Sequence, residues 1–126
     1  MKEIKIIVSN GEIVDKITIL QIKLENIKES VKLENIKKEF DYLYSIMKES
    51  IDIDNEMYED LLAINKQLWD IEDKIRDKER NKEFDNEFIE LARSVYFVND
   101  KRSEVKKRIN LLTESVFVEE KSYKEY

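Results

Sequence analysis

The sequence predicts an all-α protein, and the composition of the chain supports this fold class in three ways. The 126 residues include one glycine and no proline, which leaves little of the turn chemistry that barrels and β-sandwiches need. Lysine, glutamate, isoleucine and leucine dominate, as is typical of helical proteins. Hydrophobic residues make up 41% of the chain, enough for one core. A single helical domain over residues 1–126 is therefore expected.

The first helix is expected over residues 11–28. Ser9 and Glu12 have the spacing of a capping box, in which each side chain bonds to the backbone N–H of the other residue. Apolar residues then recur at spacings of three and four from Ile13 to Ile27. The pattern changes phase near residues 29–32, where Ser30 is a candidate cap. Either a second helix begins there or one long helix kinks.

Two longer helices are expected in the second half of the chain. The apolar stripe of the third helix runs from Met57 to Ile75. Asp85 is the candidate cap of the fourth helix, with Phe84 placed to pack against Ile89. Three polar residues are candidate caps of the third helix: Asp52, Asp54 and Asn55.

The helix lengths and short connections predict how the elements are arranged. Helices of roughly 18, 18, 27 and 27 residues favour antiparallel neighbours. They predict an up-down helical bundle with a long hairpin formed by helices three and four. The β-branched residues in 4–8 and 116–118 also predict a short two-stranded β ribbon that joins the N- and C-terminal segments.

The composition also excludes several kinds of chemistry. The chain has no cysteine and no histidine, so thiol nucleophiles, Cys/His zinc sites and imidazole-based triads are excluded. Adjacent acids such as Glu72 and Asp73 point apart on a helix, so no metal site is predicted, and no cofactor is identified. The net charge of −6 disfavours nucleic-acid and anionic-membrane partners. A cytoplasmic protein is expected.

Polar side chains form a second face beside the apolar stripes of helices three and four. Aromatic rings, amides, carboxylates and guanidinium groups recur there at helical spacing, so a hairpin would bring them to one groove. The alternative is a solvated surface with weak intrahelical ion pairs. The residues expected to bind a ligand are Trp69, Glu72, Asp73, Arg76, Arg93, Tyr96, Asn99, Asp100 and Arg102.

Three further charged positions lead to separate expectations. Arg102 stands within an apolar stripe, so it needs an acidic partner from a neighbouring helix or a ligand anion, and the acidic partner is favoured. Asp15 and Lys16 are expected on a solvated face. Residues 119–123 are expected to form a frayed tail.

Four strings distributed over the chain resemble the signature of an uncharacterised bacterial family, a domain of unknown function of about the same length as this chain. They are residues 11–20 (GEIVDKITIL), 65–76 (NKQLWDIEDKIR), 92–102 (ARSVYFVNDKR) and 119–123 (EEKSY). The resemblance implies that the polar residues inside them belong to that signature, Lys121 and Tyr123 included. It also implies a genomic setting near glycosyltransferases and other surface-polysaccharide functions.

The leading hypothesis is a non-catalytic accessory or ligand-binding protein of a surface-polysaccharide pathway. It would be homo-oligomeric and would bind an anionic sugar or a phosphate. One alternative is a small enzyme, either a Mg²⁺-dependent phosphohydrolase of nucleotides or nucleotide sugars, or a mutase-like protein. The other is a purely structural bundle for protein–protein interaction, in which the polar residues fix the helix register.

Overall fold

A computed structural model describes residues 2–126 and contains four helices. They are α1 (Asn10–Asn26), α2 (Ser30–Ser50), α3 (Asn55–Arg80) and α4 (Asn86–Leu112). The predicted all-α bundle is confirmed. Helices α1 and α2 are separate because the backbone is extended at Ile27 and Glu29, which rules out one long kinked helix.

Side-chain caps begin three of the four helices. Ser9, Asp54 and Asp85 each accept a hydrogen bond from the backbone N–H three residues later, at 3.3, 2.9 and 3.0 Å. The prediction that Ser30 caps α2 is wrong, because Ser30 is already helical. Glu29 occupies the cap position, and its side chain makes no capping hydrogen bond.

Two local details at the helix starts differ from the expectation. Glu12 does not complete the capping box, because its carboxylate accepts a hydrogen bond from Lys106 Nζ at 2.8 Å. Phe84 packs edge to face on Phe88, with ring centroids 5.3 Å apart, while Ile89 is 50% exposed. Helix α1 therefore begins one residue before the expected start, and the caps Ser9 and Asp85 make their predicted bonds, while Glu12 and Phe84 contact other partners.

Helix α1 is central, because it packs against each of the other three helices. The core joins Val14 and Ile17 of α1 to Met47 of α2, Leu61 of α3 and Ile109 of α4. The expected one-sided apolar stripe is therefore too narrow a description of α1. Its buried residues are Gly11, Val14, Asp15, Ile17, Thr18, Leu20 and Ile22.

The hairpin of α3 and α4 extends beyond α1, as predicted. Helices of 26 and 27 residues are about 40 Å long, whereas the 17 residues of α1 span about 26 Å. The turn between α3 and α4 is a Schellman motif, in which Lys82 has a positive φ of 55°. The Glu83 N–H donates to the Lys78 carbonyl at 2.9 Å, and the Lys82 N–H donates to the Glu79 carbonyl at 3.1 Å.

The predicted β ribbon is wrong, since no strand occurs within residues 2–126. The two ends of the chain meet through other bonds. The Asn10 N–H donates to Ser115 Oγ at 2.9 Å, and Asn10 Nδ2 donates to Thr113 Oγ1 at 2.9 Å. From this junction, residues 4–8 run over α1 and α2 while residues 119–126 run along α4, so the β-branched segments diverge.

Candidate functional site

A buried carboxylate lies where α1, α3 and α4 meet. Asp15 is 1% exposed, and Arg102 of α4 donates to it twice, from Nε to Oδ1 at 2.9 Å and from Nη2 to Oδ2 at 2.5 Å. These hydrogen bonds to Asp15 raise the pKa of the Arg102 guanidinium. The predicted acidic partner of Arg102 is confirmed, whereas the expectation of an exposed Asp15 is wrong.

Neighbouring polar groups complete the bonding of this carboxylate. Asn65 Nδ2 of α3 donates to Asp15 Oδ1 at 2.9 Å and to Thr18 Oγ1 at 2.8 Å. The Thr18 hydroxyl donates to the Asp15 carbonyl at 2.7 Å. Lys106 Nζ lies 3.9 Å from Asp15 Oδ2. Within residues 2–126, no buried side-chain nitrogen or oxygen lacks a partner, so the network is fully satisfied.

Gly11 sets the separation of α1 and α4 at this point. Its N–H donates to Asn110 Oδ1 at 2.6 Å. A Cβ on residue 11 would lie 2.5 Å from the Lys106 carbonyl oxygen, which is closer than real Cβ contacts come. Asp15 follows one helical turn later, so the close approach at Gly11 places the Asp15 carboxylate within reach of Arg102.

A cavity of about 510 Å³, here called the α3/α4 cavity, opens beside the buried network. Ile19, Leu68 and Trp69 give it apolar walls, and the other lining residues are polar or charged. Two carboxylates and two guanidinium groups balance in charge around it. Its lining residues are Ile19, Asn65, Leu68, Trp69, Glu72, Asp73, Arg76, Asn99 and Arg102.

The cavity brings together six of the nine predicted ligand-binding residues: Trp69, Glu72, Asp73, Arg76, Asn99 and Arg102. The other three lie outside it. Arg93 pairs with Glu90 at 3.1 Å on the surface of α4. The Tyr96 ring packs against the Tyr126 ring, and Asp100 accepts a hydrogen bond from the Tyr126 hydroxyl.

Sequence reasoning missed the part of the site that α1 supplies. Ile19 lines the cavity, and Asp15 and Thr18 hold Arg102 and Asn65 in place. A signal was present in the sequence, because an unpaired Arg102 in an apolar stripe requires an acid on a neighbouring helix. The spacing within α1 did not show which acid meets it.

The C-terminal residues 119–126, here called the tail, lie along α4. Glu119 contacts Lys106 at 3.5 Å, and Glu120 contacts Lys107 at 3.0 Å. Further along, the Tyr126 ring packs at right angles to Phe97 with centroids 4.9 Å apart. All residues of the tail are exposed and without regular secondary structure, and these charge pairs and ring contacts are what hold it along α4.

A second cavity of about 200 Å³, here called the tail cavity, lies between the tail and α4. Asn99 and Arg102 line both cavities, so the two adjoin through these side chains. Two tail residues, Lys121 and Tyr123, contribute to the lining of the smaller one. Its lining residues are Asn99, Asp100, Arg102, Ser103, Lys106, Lys121 and Tyr123.

Residues 2–126 contain neither a metal-binding cluster nor a helix that could cross a membrane. No three Asp, Glu, His or Cys side chains in residues 2–126 are grouped so that they could hold one metal ion. No helix in that range combines the length and apolar character that crossing a bilayer requires.

Fold and site together define an all-α four-helix protein with a polar cavity beside a buried aspartate–arginine pair. The chain belongs to a family described as "Family of unknown function (DUF6165)", whose model matches residues 4–126. The resemblance to a domain of unknown function is thus confirmed. No match was found among curated proteins or among solved structures.

Proposed function

We propose that this protein is a non-catalytic ligand-binding protein and that its ligand is a sugar held in the α3/α4 cavity. The observation that carries the proposal is the lining of this cavity, where one indole ring stands among amide and charged side chains whose charges balance. A cavity of about 510 Å³ lies within the size range of small-molecule sites.

The apolar wall suits one face of a sugar ring. Trp69 offers a large flat surface with a polar N–H at one edge, and Leu68 and Ile19 extend the apolar area beside it. A pyranose presents C–H groups on its faces and hydroxyl groups at its rim. Stacking on Trp69 therefore leaves the hydroxyl groups free to bond with the polar side of the cavity.

The polar side supplies both acceptors and donors. Glu72 and Asp73 accept hydrogen bonds from hydroxyl groups, whereas Arg76 donates them. Arg102 is fixed by Asp15 through Nε and Nη2, and its Nη1 lies 3.5 Å from Asn99 Oδ1 with further donor capacity. A balanced set of this kind suits a polyhydroxylated ligand better than an isolated anion.

The wider setting is also part of the proposal. The expected neighbourhood of glycosyltransferase genes supports a role as a cytoplasmic accessory protein in surface-polysaccharide synthesis, as context only. Self-association is proposed as well, supported by exposed apolar side chains on the N-terminal segment and on α2. These side chains are Ile4, Ile6, Ile7, Val31 and Tyr42.

One observation favours a second candidate function, a structural bundle that binds another protein. All hydrogen-bonding groups of the Asp15–Arg102 network find partners inside the protein. This is expected of a network whose only role is to fix the helix register. In that case the cavity residues contribute to stability or to solubility and have no ligand effect.

The test is a thermal-shift screen of neutral sugars, sugar phosphates, nucleotide sugars and nucleoside triphosphates with Mg²⁺. A ligand at a hundred times its Kd stabilises the native state by about 2.7 kcal/mol. We expect a selective rise in melting temperature that Trp69→Ala abolishes. The matched control, Phe117→Ala at an exposed position outside both cavities, should retain the rise.

Two results would contradict the proposal. Either no compound in the screen raises the melting temperature, or the rise is equal in the Trp69→Ala variant and the wild type. Turnover of a phosphorylated compound that is lost in Glu72→Ala or Asp73→Ala would instead establish the alternative of a small enzyme.

A further inference from the structure

Three cationic side chains meet in the tail cavity. Arg102 and Lys106 come from α4, and Lys121 comes from the tail. Asp100 is the one carboxylate among the lining residues, and it already accepts a hydrogen bond from the Tyr126 hydroxyl. Carboxylates outside this lining already pair with two of the cations, Asp15 with Arg102 and Glu12 with Lys106 at 2.8 Å, while Lys121 is paired by Glu119 of the tail.

Glu119 of the tail binds Lys121 closely and lies farther from Lys106, whose nearer partner is Glu12. The Oε1 of Glu119 lies 2.7 Å from Lys121 Nζ, and its Oε2 lies 3.5 Å from Lys106 Nζ. These contacts, first that with Lys121, lower the pKa of Glu119. The Glu119 side chain is 47% exposed and belongs to a segment without regular structure. Solvent-exposed pairs of this kind contribute little to stability, so an external anion can replace the carboxylate at small cost.

The two cavities adjoin at a fixed cation. Asn99 and Arg102 line both, and the Arg102 guanidinium is held in place by its two bonds to Asp15. A ligand that occupies both cavities therefore passes Asn99 and Arg102, and its far end lies beside Lys106 and Lys121.

We propose that the tail cavity is an anion site, which binds the phosphate or carboxylate group of the ligand whose sugar ring lies in the α3/α4 cavity. The anion takes the place of the Glu119 carboxylate between Lys106 and Lys121. This inference rests on the proposed function, and it narrows the ligand to a sugar that carries a negative charge. Sugar phosphates, nucleotide sugars and uronic acids belong to this class.

The experiment compares glucose, glucose 1-phosphate, glucuronic acid and inorganic phosphate by isothermal titration calorimetry. We expect the charged sugars to bind the wild type at least about tenfold more tightly than glucose, since charge-assisted bonds are the stronger ones. The stronger of the two charged sugars identifies the anion as phosphate or carboxylate. Lys121→Gln should remove this gain, whereas Lys124→Gln, another exposed lysine of the tail, should retain it.

A second variant changes affinity in the opposite direction. Glu119→Gln removes the carboxylate that competes for Lys106 and Lys121, so it should tighten the binding of glucose 1-phosphate severalfold. Glu125→Gln, an exposed tail residue outside the cavity, should leave the affinity unchanged. If Glu119 only holds the tail on α4, Glu119→Gln should weaken the binding of glucose 1-phosphate or leave it unchanged. That result would overturn the proposal that the ligand anion replaces the Glu119 carboxylate.

The remaining outcomes separate this inference from the proposed function. Equal binding of glucose and glucose 1-phosphate, lost in Trp69→Ala, would overturn the anion site and leave the sugar site standing. Binding of inorganic phosphate that depends on Lys121, without binding of any sugar, would support the anion site and overturn the sugar site. Binding of none of the four compounds would overturn both.

Discussion

Asp15 is the residue on which most of the buried polar contacts converge. A carboxylate that is 1% exposed would cost several kcal/mol if it were unpaired, but two bonds from Arg102 and one from Asn65 compensate it. Because the donors come from α3 and α4, one relative placement of the three helices satisfies them all. The pair thereby selects a helix register, and it also orients Arg102 between the two cavities.

The first prediction concerns the loss of Arg102. Arg102→Met should lower the free energy of unfolding by about 3–5 kcal/mol, because it leaves the Asp15 carboxylate buried without its partner. Adding Asp15→Asn should restore part of this loss. Urea denaturation measures both, with Arg108→Met at an exposed position of α4 as the control. A loss no larger than that of the control would show that the pair does not stabilise the fold.

The second prediction concerns Gly11. Alanine is the better helix former, yet Gly11→Ala should destabilise the protein by about 1–3 kcal/mol, because the added methyl group overlaps the Lys106 carbonyl oxygen. The control is Asn35→Ala on the exposed surface of α2, which should be neutral or slightly stabilising. Stabilisation by Gly11→Ala in thermal unfolding would mean that α1 and α4 are less close than described.

At the scale of the elements, the helix ends show where the chain departs from favoured residue types. Lys82 and Glu114 both have positive φ values, of 55° and 53°, in positions where glycine is usual. At the end of α4, the Ser115 N–H closes the motif on the Asn110 carbonyl at 2.9 Å. Both helices therefore end in a conformation that L-residues adopt at some cost in free energy.

The third prediction tests this cost. Lys82→Gly should raise the free energy of unfolding by about 0.5–1 kcal/mol, since glycine adopts the left-handed region without the Cβ clash. In Lys74→Gly, at an exposed position inside α3, the change should have the opposite sign and a similar size. Equal destabilisation of both variants in chemical denaturation would argue against the left-handed turn.

The fourth prediction concerns the cap of α4 and acid. The hydrogen bond from the Phe88 N–H and the neighbouring Lys78 ammonium lower the pKa of Asp85. A carboxyl group stabilises the folded state when its pKa is lower there than in the unfolded state. This stabilisation is complete above the unfolded pKa, about 4, and is lost as the pH falls through the folded pKa.

Asp85→Asn keeps a good cap but removes the charge, so it isolates this effect. The melting temperatures of wild type and variant should differ most near neutral pH and converge in strong acid. A constant difference across the pH range would show that the Asp85 charge does not contribute.

The sequence alone predicts where the helices lie but not which elements pack against each of them. The spacing of apolar residues and the caps Asp54 and Asp85 predict where α3 and α4 lie, because these are local properties. The apolar spacing of α1 shows one face, whereas its three packed neighbours bury seven of its 17 residues, the polar Asp15 and Thr18 included. The β-branched residues of 4–8 suggested a strand because β propensity depends on a partner that the fold does not provide.

The same limit applies to the candidate site. The helical spacing on α3 correctly grouped Trp69, Glu72 and Arg76, since they share one face. On α4, the same reasoning included Tyr96, which lies on the side that the tail covers. The rotation of α4 within the bundle depends on long-range contacts such as that of Asn110 with Gly11 of α1, and these contacts leave no periodic signal.

At the scale of the whole molecule, the two cavities connect three helices and the tail into one candidate binding surface. The α3/α4 cavity draws residues from α1, α3 and α4, so a bound ligand would stabilise the packing of all three. The tail is held by exposed charge pairs and by the Tyr126 ring, which makes it the part of the surface that a ligand can rearrange most easily.

The most direct test of the central claim is a fluorescence titration of Trp69, because it is the only tryptophan of the chain and it lines the α3/α4 cavity. Titration with glucose and glucose 1-phosphate should change the indole emission saturably, with the same Kd that calorimetry gives. Constant emission while calorimetry shows saturation would place the ligand away from Trp69 and would contradict the proposed sugar site.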